Sequence, residues 1–165
     1  MNVHVFDLEA DGLLDTITKI HCLCYDNPDG SVTSLVDSDD IRRWLDTVDV
    51  LIGHNIIRYD IPAIEKILGV KVKAKLIDTL PISWYLEPER VIHGLEEWGD
   101  VLGIPKPPIA DWQNLTVEEY VHRCEQDVKI NSLLWRRFKK HLTTLYGGWD
   151  EAKPLLDYLS LKMDC

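Results

Sequence analysis

Hydrophobic and polar positions alternate from the start of the chain. Val3 and Val5 lead with period two into Asp7 and predict a first strand, and residues 17–25, rich in β-branched and aromatic side chains, predict a second. Asn27-Pro28-Asp29-Gly30 is a turn signature, and residues 32–36 follow it as a third short strand. The chain therefore opens with three antiparallel strands. Ser38-Asp39-Asp40 caps a helix carrying Ile41, Trp44 and Leu45, after which residues 48–53 form the continuous apolar run of a strand buried on both faces in a parallel sheet. A helix after Asn55 sets Ile61, Ile64, Ile67 and Leu68 on one side and stops at Gly69. Lys71, Lys73 and Lys75 then alternate with Val72, Ala74 and Leu76 into Ile77-Asp78, a strand with one wet face. Asp78-Thr79 caps the next helix, and residues 94–102 form another, closed by Gly103. Lys106-Pro107-Pro108 begins a loop, and Thr116 with Glu119 makes a capping box that opens a long helix to about Leu142. The tail, residues 150–165, is a helix with Leu155, Leu156, Leu159 and Met163 on one side. The sum is an α/β chain: a mixed sheet, its first three strands antiparallel, flanked by helices.

Composition fits one domain over residues 1–165, with a core at 3–142, since 45% of the 165 residues are hydrophobic and mean hydropathy is −0.13. Apolar runs such as Val50-Leu51-Ile52 fall far short of the roughly 20 residues a membrane helix needs. No basic, apolar leader precedes Asp7, and the four cysteines are too few for a disulfide framework, so a cytoplasmic location and reduced thiols are expected. His21-Cys22-Leu23-Cys24 lacks a second ligand pair at zinc spacing and is read as strand packing. A net charge of −10 argues against a sequence-neutral nucleic-acid coat but not against a nuclease, whose acids present positive charge to phosphate once divalent ions are bound. Lys129, Arg136, Arg137, Lys139 and Lys140 form one basic segment, either a solvated helix face or a polyanion contact.

Three constellations carry candidate chemistry. Asp7 and Glu9, two apart on a strand, share a face, and two unpaired carboxylates side by side make most sense around a cation. Asp60, in the run His54-Asn55-Ile56-Ile57-Arg58-Tyr59-Asp60, follows the buried strand at the sheet's carboxyl edge, where open α/β sheets place ligands. Asp127 lies inside the long helix.

Taken in order, the strand Asp-x-Glu, the Asn-x-x-x-Tyr-Asp run and the late helical Asp resemble the three motifs of the DEDD (DnaQ-like) superfamily of 3′-to-5′ exonucleases. Over about residues 3–140 the chain is most similar to the proofreading exonuclease domains of phage-type family A DNA polymerases. The likeness runs through Phe6-Asp7-Leu8-Glu9, Gly53-His54-Asn55, Tyr59-Asp60, Ile77-Asp78-Thr79-Leu80, His93-Gly94-Leu95-Glu96-Glu97-Trp98-Gly99 and Cys124-Glu125-Gln126-Asp127-Val128. The resemblance implies a ribonuclease H-like fold and metal-dependent release of nucleoside monophosphates from a single-stranded DNA or RNA 3′ end, in phage replication, proofreading or nucleotide scavenging. It also implies two Mg²⁺ or Mn²⁺ ions, which suit oxygen ligands and a phosphorane carrying extra negative charge. Asp7, Glu9 and Asp127 would hold one ion, Asp7 would bridge to the second, and Asp60 would hold that one. Ala10 and Leu13 would grip the terminal nucleotide, Leu13 being equally readable as hairpin core, and Asn55 would touch the strand.

The polymerase subgroup places a tyrosine four residues before the last Asp, and here that residue is Arg123. The other subgroup places a histidine five before it, so His122 is the expected general base, its imidazole suited to proton transfer near pH 7. Five positions are roughly 140° around a regular helix, so the helix would have to start or bend there. Tyr120, Arg123 and a base-free site are the alternatives. With no polymerase region following, the chain is expected to be a free-standing enzyme or a subunit beside a separate polymerase. The competing class is a catalytically silent nucleic-acid-binding or polymerase-docking module, which the Arg123 substitution and the basic segment motivate.

Overall fold

The computed structural model describes residues 1–165 apart from Pro107, Ala110, Trp112 and Gln113. Five strands, β1 (Val3–Ala10), β2 (Ile20–Asp26), β3 (Val32–Leu35), β4 (Val50–Gly53) and β5 (Lys75–Asp78), lie in the order β3-β2-β1-β4-β5. β1, β2 and β3 pair antiparallel, whereas β1–β4 and β4–β5 are parallel. Helices cover both faces: α1 (Ser38–Leu45) and α2 (Ile61–Leu68) on one, α3 (Thr79–Leu86), α4 (Leu95–Leu102), α5 (Val117–Tyr146) and α6 (Trp149–Asp164) on the other.

Strand parity sorts the core. Val5, Cys22, Cys24, Val50 and Ile52 pack with Val128, Leu134 and Phe138 of α5, while Phe6, Leu8, Leu23 and Leu51 pack with Ile41, Trp44 and Ile64. Successive strand residues point to opposite faces, so Asp7 and Glu9 share the α5 side with Val5. The α5 face is further tied by Trp98, whose indole N–H donates to Ser83 Oγ at 3.0 Å and whose ring meets Phe138 edge-on at 5.6 Å.

Local chemistry accounts for most element ends. Thr116 and Glu119 close the capping box, and α5 then runs unbroken to Tyr146, one turn beyond expectation. Asp37, not the Ser38-Asp39-Asp40 run itself, caps α1 by accepting from the N–H groups of Asp39 and Asp40. β5 begins only at Lys75, so the alternation over Lys71, Val72 and Lys73 is not strand: no partner strand extends that far along β4. β2 starts at Ile20, with the buried Ile17 in the preceding loop. Pro107 of the expected 106–108 loop lies outside the described residues. Within the basic segment, Arg137 pairs with Glu87 at 3.1 Å and the Lys139 ammonium sits 4.9 Å from the Trp149 ring centre, so part of that charge serves packing. No helix among the described residues is long and apolar enough to cross a membrane.

Candidate active site

Asp7, Glu9 and Asp127 bring one carboxylate oxygen each to within 4.8 Å of one another, two from the central strand and one from α5. Asp60 lies outside that set but near enough for its charge to act on Asp7, and it arrives by an unusual route. Residues Ile56–Asp60 form a π-helical turn between β4 and α2, entered through Asn55 in the left-handed region at φ 62, a conformation Asn tolerates better than most residues. Gly53 is required just before it, because a Cβ there would lie 2.2 Å from Ile56 Cγ2. Asp78, buried at the end of β5, holds the turn: its carboxylate accepts from the N–H groups of Asn55 at 2.8 Å and Ile57 at 3.2 Å, and from Leu80 at 3.0 Å as the cap of α3. Tyr59 completes the anchorage, its hydroxyl donating to Gly12 O at 2.5 Å.

The acids of this cluster act on one another's ionisation. Burial comes first in pushing the Asp7 carboxyl far above the usual range, followed by the charges of Asp127, Asp60 and Glu9. Burial, then Asp127, raises Glu9 to about 7, and burial with Asp78 and Glu9 raises Asp60 strongly. Asp127 is also raised by burial, but Lys106 and Arg123 pull it down. Two buried oxygens, Asp7 Oδ2 and Asp60 Oδ2, accept no hydrogen bond among the described residues, whereas Asp127 Oδ1 is paired with Lys106 Nζ at 3.0 Å. Buried carboxylate oxygens left without donors are costly unless a cation takes them, and a hard, oxygen-preferring divalent ion fits this all-carboxylate set.

Lys106 was not singled out by sequence reasoning. It lies in a stretch after α4 with no periodicity, and a lone Lys before Pro-Pro carries no spacing signal; only the fold brings its ammonium against Asp127.

Beside the acids runs a cleft of about 490 Å³ lined by Glu9, Ala10, Asp11, Gly12, Leu13, Leu115, Tyr120 and Arg123. Ala10 and the 78%-exposed Leu13 both line this cleft, and Leu13 is not hairpin core. Asn55 occupies the junction leading to Asp60. His122, the expected general base, stands on a different side of α5 from Asp127. Because α5 is regular through residues 117–146, His122 sits roughly 140° around the helix from Asp127; it is exposed and lines an adjoining hollow with Pro108, Ile109, Glu118 and Glu119, which shares Leu115 and Arg123 with the cleft. The structure does not bring it to the acids. Arg123, one turn before Asp127, lowers the pKa of both Glu9 and Asp127 and lines the cleft. Tyr120 also lines it, its ring stacked on His21 with centres 3.9 Å apart.

A parallel-antiparallel five-stranded sheet with three acids on its central strand and long helix defines a ribonuclease H-like α/β domain. The chain is 26% identical to the DNA-directed DNA polymerase of Enterobacteria phage T3 over 84% of its own length, and it spans only 23% of the length of that polymerase. Among solved structures, Brucella melitensis NrnC superposes with a TM-score of 0.66 at 15% identity, covering 99% of this chain and 84% of NrnC. NrnC has been solved with bound Mg²⁺ and bound to pGG. Exonuclease X in complex with 5′ overhanging duplex DNA matches at TM-score 0.55 and 10% identity, over 82% of this chain and 92% of its own. No protein-family model matches. The fold is that of the DnaQ-like 3′–5′ exonucleases.

Proposed function

We propose that the chain is a divalent-metal-dependent 3′-to-5′ exonuclease that releases nucleoside monophosphates from a single-stranded DNA or RNA 3′ end. The observation that carries this reading is the convergence of Asp7, Glu9 and Asp127 within 4.8 Å, with buried oxygens of Asp7 and Asp60 left without donors. Asp7, Glu9 and Asp127 would hold one Mg²⁺ or Mn²⁺ ion, and Asp7 with Asp60 a second. Bound there, the ions supply Lewis acidity that activates water and neutralises charge on the phosphoryl and leaving oxygens.

The chain's own groups do the rest. Leu13 packs on the terminal base and the Ala10 backbone meets the 3′ hydroxyl, so the terminal phosphodiester sits over the acids. Asp78 fixes the turn that aims Asp60. Arg123 supplies positive charge at the cleft wall, and Lys106, paired with Asp127 in the ion-free protein, would offer its ammonium to the same phosphate once Asp127 held an ion. His122 stands roughly 140° around α5 from Asp127, so the proton of the attacking water would leave to solvent in the open cleft rather than to that imidazole.

A 5′-labelled DNA oligonucleotide incubated with Mn²⁺ is expected to give a ladder shortening from its 3′ end, abolished by EDTA, and matched RNA run beside it reads the sugar preference. In the same assay His122→Ala stays within about twofold of wild type while Arg123→Ala falls at least about tenfold, the scale of losing one electrostatic contact to a developing charge. The substitution of Arg123 for tyrosine favours a second reading, a silent module that binds strands without cutting them. Tight binding with no product at saturating Mn²⁺ would establish that reading instead.

A further inference from the structure

The cysteines of β2 acquire a partner that their spacing does not reveal. Cys22 and Cys24, two apart on one strand, both face α5, and Cys124 of α5 descends between them. The three sulfurs lie within 4.8 Å of one another, and all three residues are fully buried. The fourth cysteine, Cys165, is exposed, so every buried thiol of the chain belongs to this one cluster. An oxygen donor stands at its edge: Ser34 Oγ lies 3.2 Å from Cys24 Sγ and donates to Glu125 Oε1 at 2.8 Å.

We propose that Cys22, Cys24 and Cys124 form a site for a soft divalent d¹⁰ cation of the zinc class, with Ser34 Oγ as fourth donor. Zinc–sulfur bonds of about 2.3 Å set tetrahedral sulfurs about 3.8 Å apart, so the sulfurs need draw in by no more than about 1 Å. The donor set selects the ion. Thiolates prefer soft or borderline cations, whereas the acids on the same sheet face prefer hard ones, and the two sites are neighbours: Asp7 pairs with Cys24 and Glu9 with Cys22 across the β1–β2 ladder. Loading balances as M²⁺ + 3 R–SH → M(SR)₃⁻ + 3 H⁺, the Ser34 hydroxyl remaining neutral. A divalent ion leaves one net negative charge in the core where a monovalent one would leave two, which favours the divalent class. Loading also removes the hydrogen bond that the Cys124 thiol gives to Asp7 O at 3.2 Å, so the soft site touches the backbone of the strand bearing the acids. Burial leaves no open path to the sulfurs, and the ion is therefore taken up during folding.

The test is refolding of the full chain under reductant with one equivalent of Cd²⁺, using Cys165→Ser to remove the exposed thiol. The expected result is one Cd²⁺ per chain after gel filtration, with thiolate-to-metal charge-transfer absorption in the ultraviolet, a signal carboxylate-bound Cd²⁺ does not give. Cys22→Ala and Cys124→Ala, each a small-for-small core change, should separately abolish that absorption while the chain still folds by circular dichroism. Refolded Cys165→Ser protein without the absorption, or absorption that persists undiminished in both alanine variants, overturns the proposal and leaves the thiols as packing residues. Neither outcome bears on the nuclease reading, which the oligonucleotide assay tests separately.

Discussion

Asp7→Asn is expected to lower the rate of nucleotide release by about a thousandfold or more, roughly 4 kcal/mol of transition-state stabilisation, because Asp7 is the one acid proposed to touch both ions. The same change should make the ion-free protein more stable. Asp7 is half-buried, and desolvation together with the charges of Asp127, Asp60 and Glu9 raises its pKa far above the ordinary carboxylate value. The sign follows from linkage. An acid whose folded pKa lies above its unfolded one binds more protons when folded, so its favourable contribution is complete below the unfolded pKa and is lost as pH rises toward the folded pKa. For Glu9 that window runs from its ordinary 4.5 to about 7. In EDTA the wild-type melting temperature should therefore fall as pH climbs through this range, and Asp7→Asn should melt higher than wild type at pH 7.5, with the gap closing toward pH 4. Saturating Mn²⁺ should reverse the order, since only the intact site gains binding energy on folding. Melting curves of both proteins at two pH values, with and without Mn²⁺, check all four expectations. A variant that loses activity without gaining ion-free stability would mean the acids are not held in mutual repulsion.

Asp78→Ala should cost stability rather than chemistry in the first instance, by about 2–4 kcal/mol, which in a chain of this length lowers the melting temperature by roughly 10 °C. The carboxylate accepts from the N–H groups of Asn55, Ile57 and Leu80, so its loss removes the cap of α3 and releases the π-helical turn together. Asp78→Asn keeps one acceptor oxygen and should fall between alanine and wild type. Activity should drop in the alanine variant even at temperatures where it is folded, because Asp60 is aimed by that turn. Equal melting temperatures for Asp78→Ala and wild type would show that the turn is held by something else.

Parity made most of the site legible in the sequence. Asp7 and Glu9 could be placed on one face of one strand by alternation alone, and the helical period of the chain after Thr116 put Asp127 on a helix able to cross that face. The sheet was legible for the same reason, since hairpin turns and apolar runs are local signals. What escaped depended on contacts between distant segments. The π-helical turn arises because Asp78 draws Asn55 and Ile57 toward β5, a contact no window around residues 54–60 contains. Lys106 meets Asp127 only after α4 and the following loop are laid over the sheet. Cys124 joins Cys22 and Cys24 only when α5 packs on β2, so the Cys-x-Cys pair read alone gave strand packing. For His122 the helical arithmetic holds in the structure: the capping box at Thr116 starts α5 ahead of it, which leaves the residue roughly 140° around the helix from Asp127.

Anomalous diffraction from crystals grown with Mn²⁺ tests the central claim most directly. The account predicts a strong Mn²⁺ peak bounded by carboxylate oxygens of Asp7, Glu9 and Asp127, with Lys106 Nζ withdrawn from Asp127 and Asp60 turned toward the site. Full Mn²⁺ loading of the crystals with no peak among those residues, and Lys106 still paired with Asp127, would contradict it.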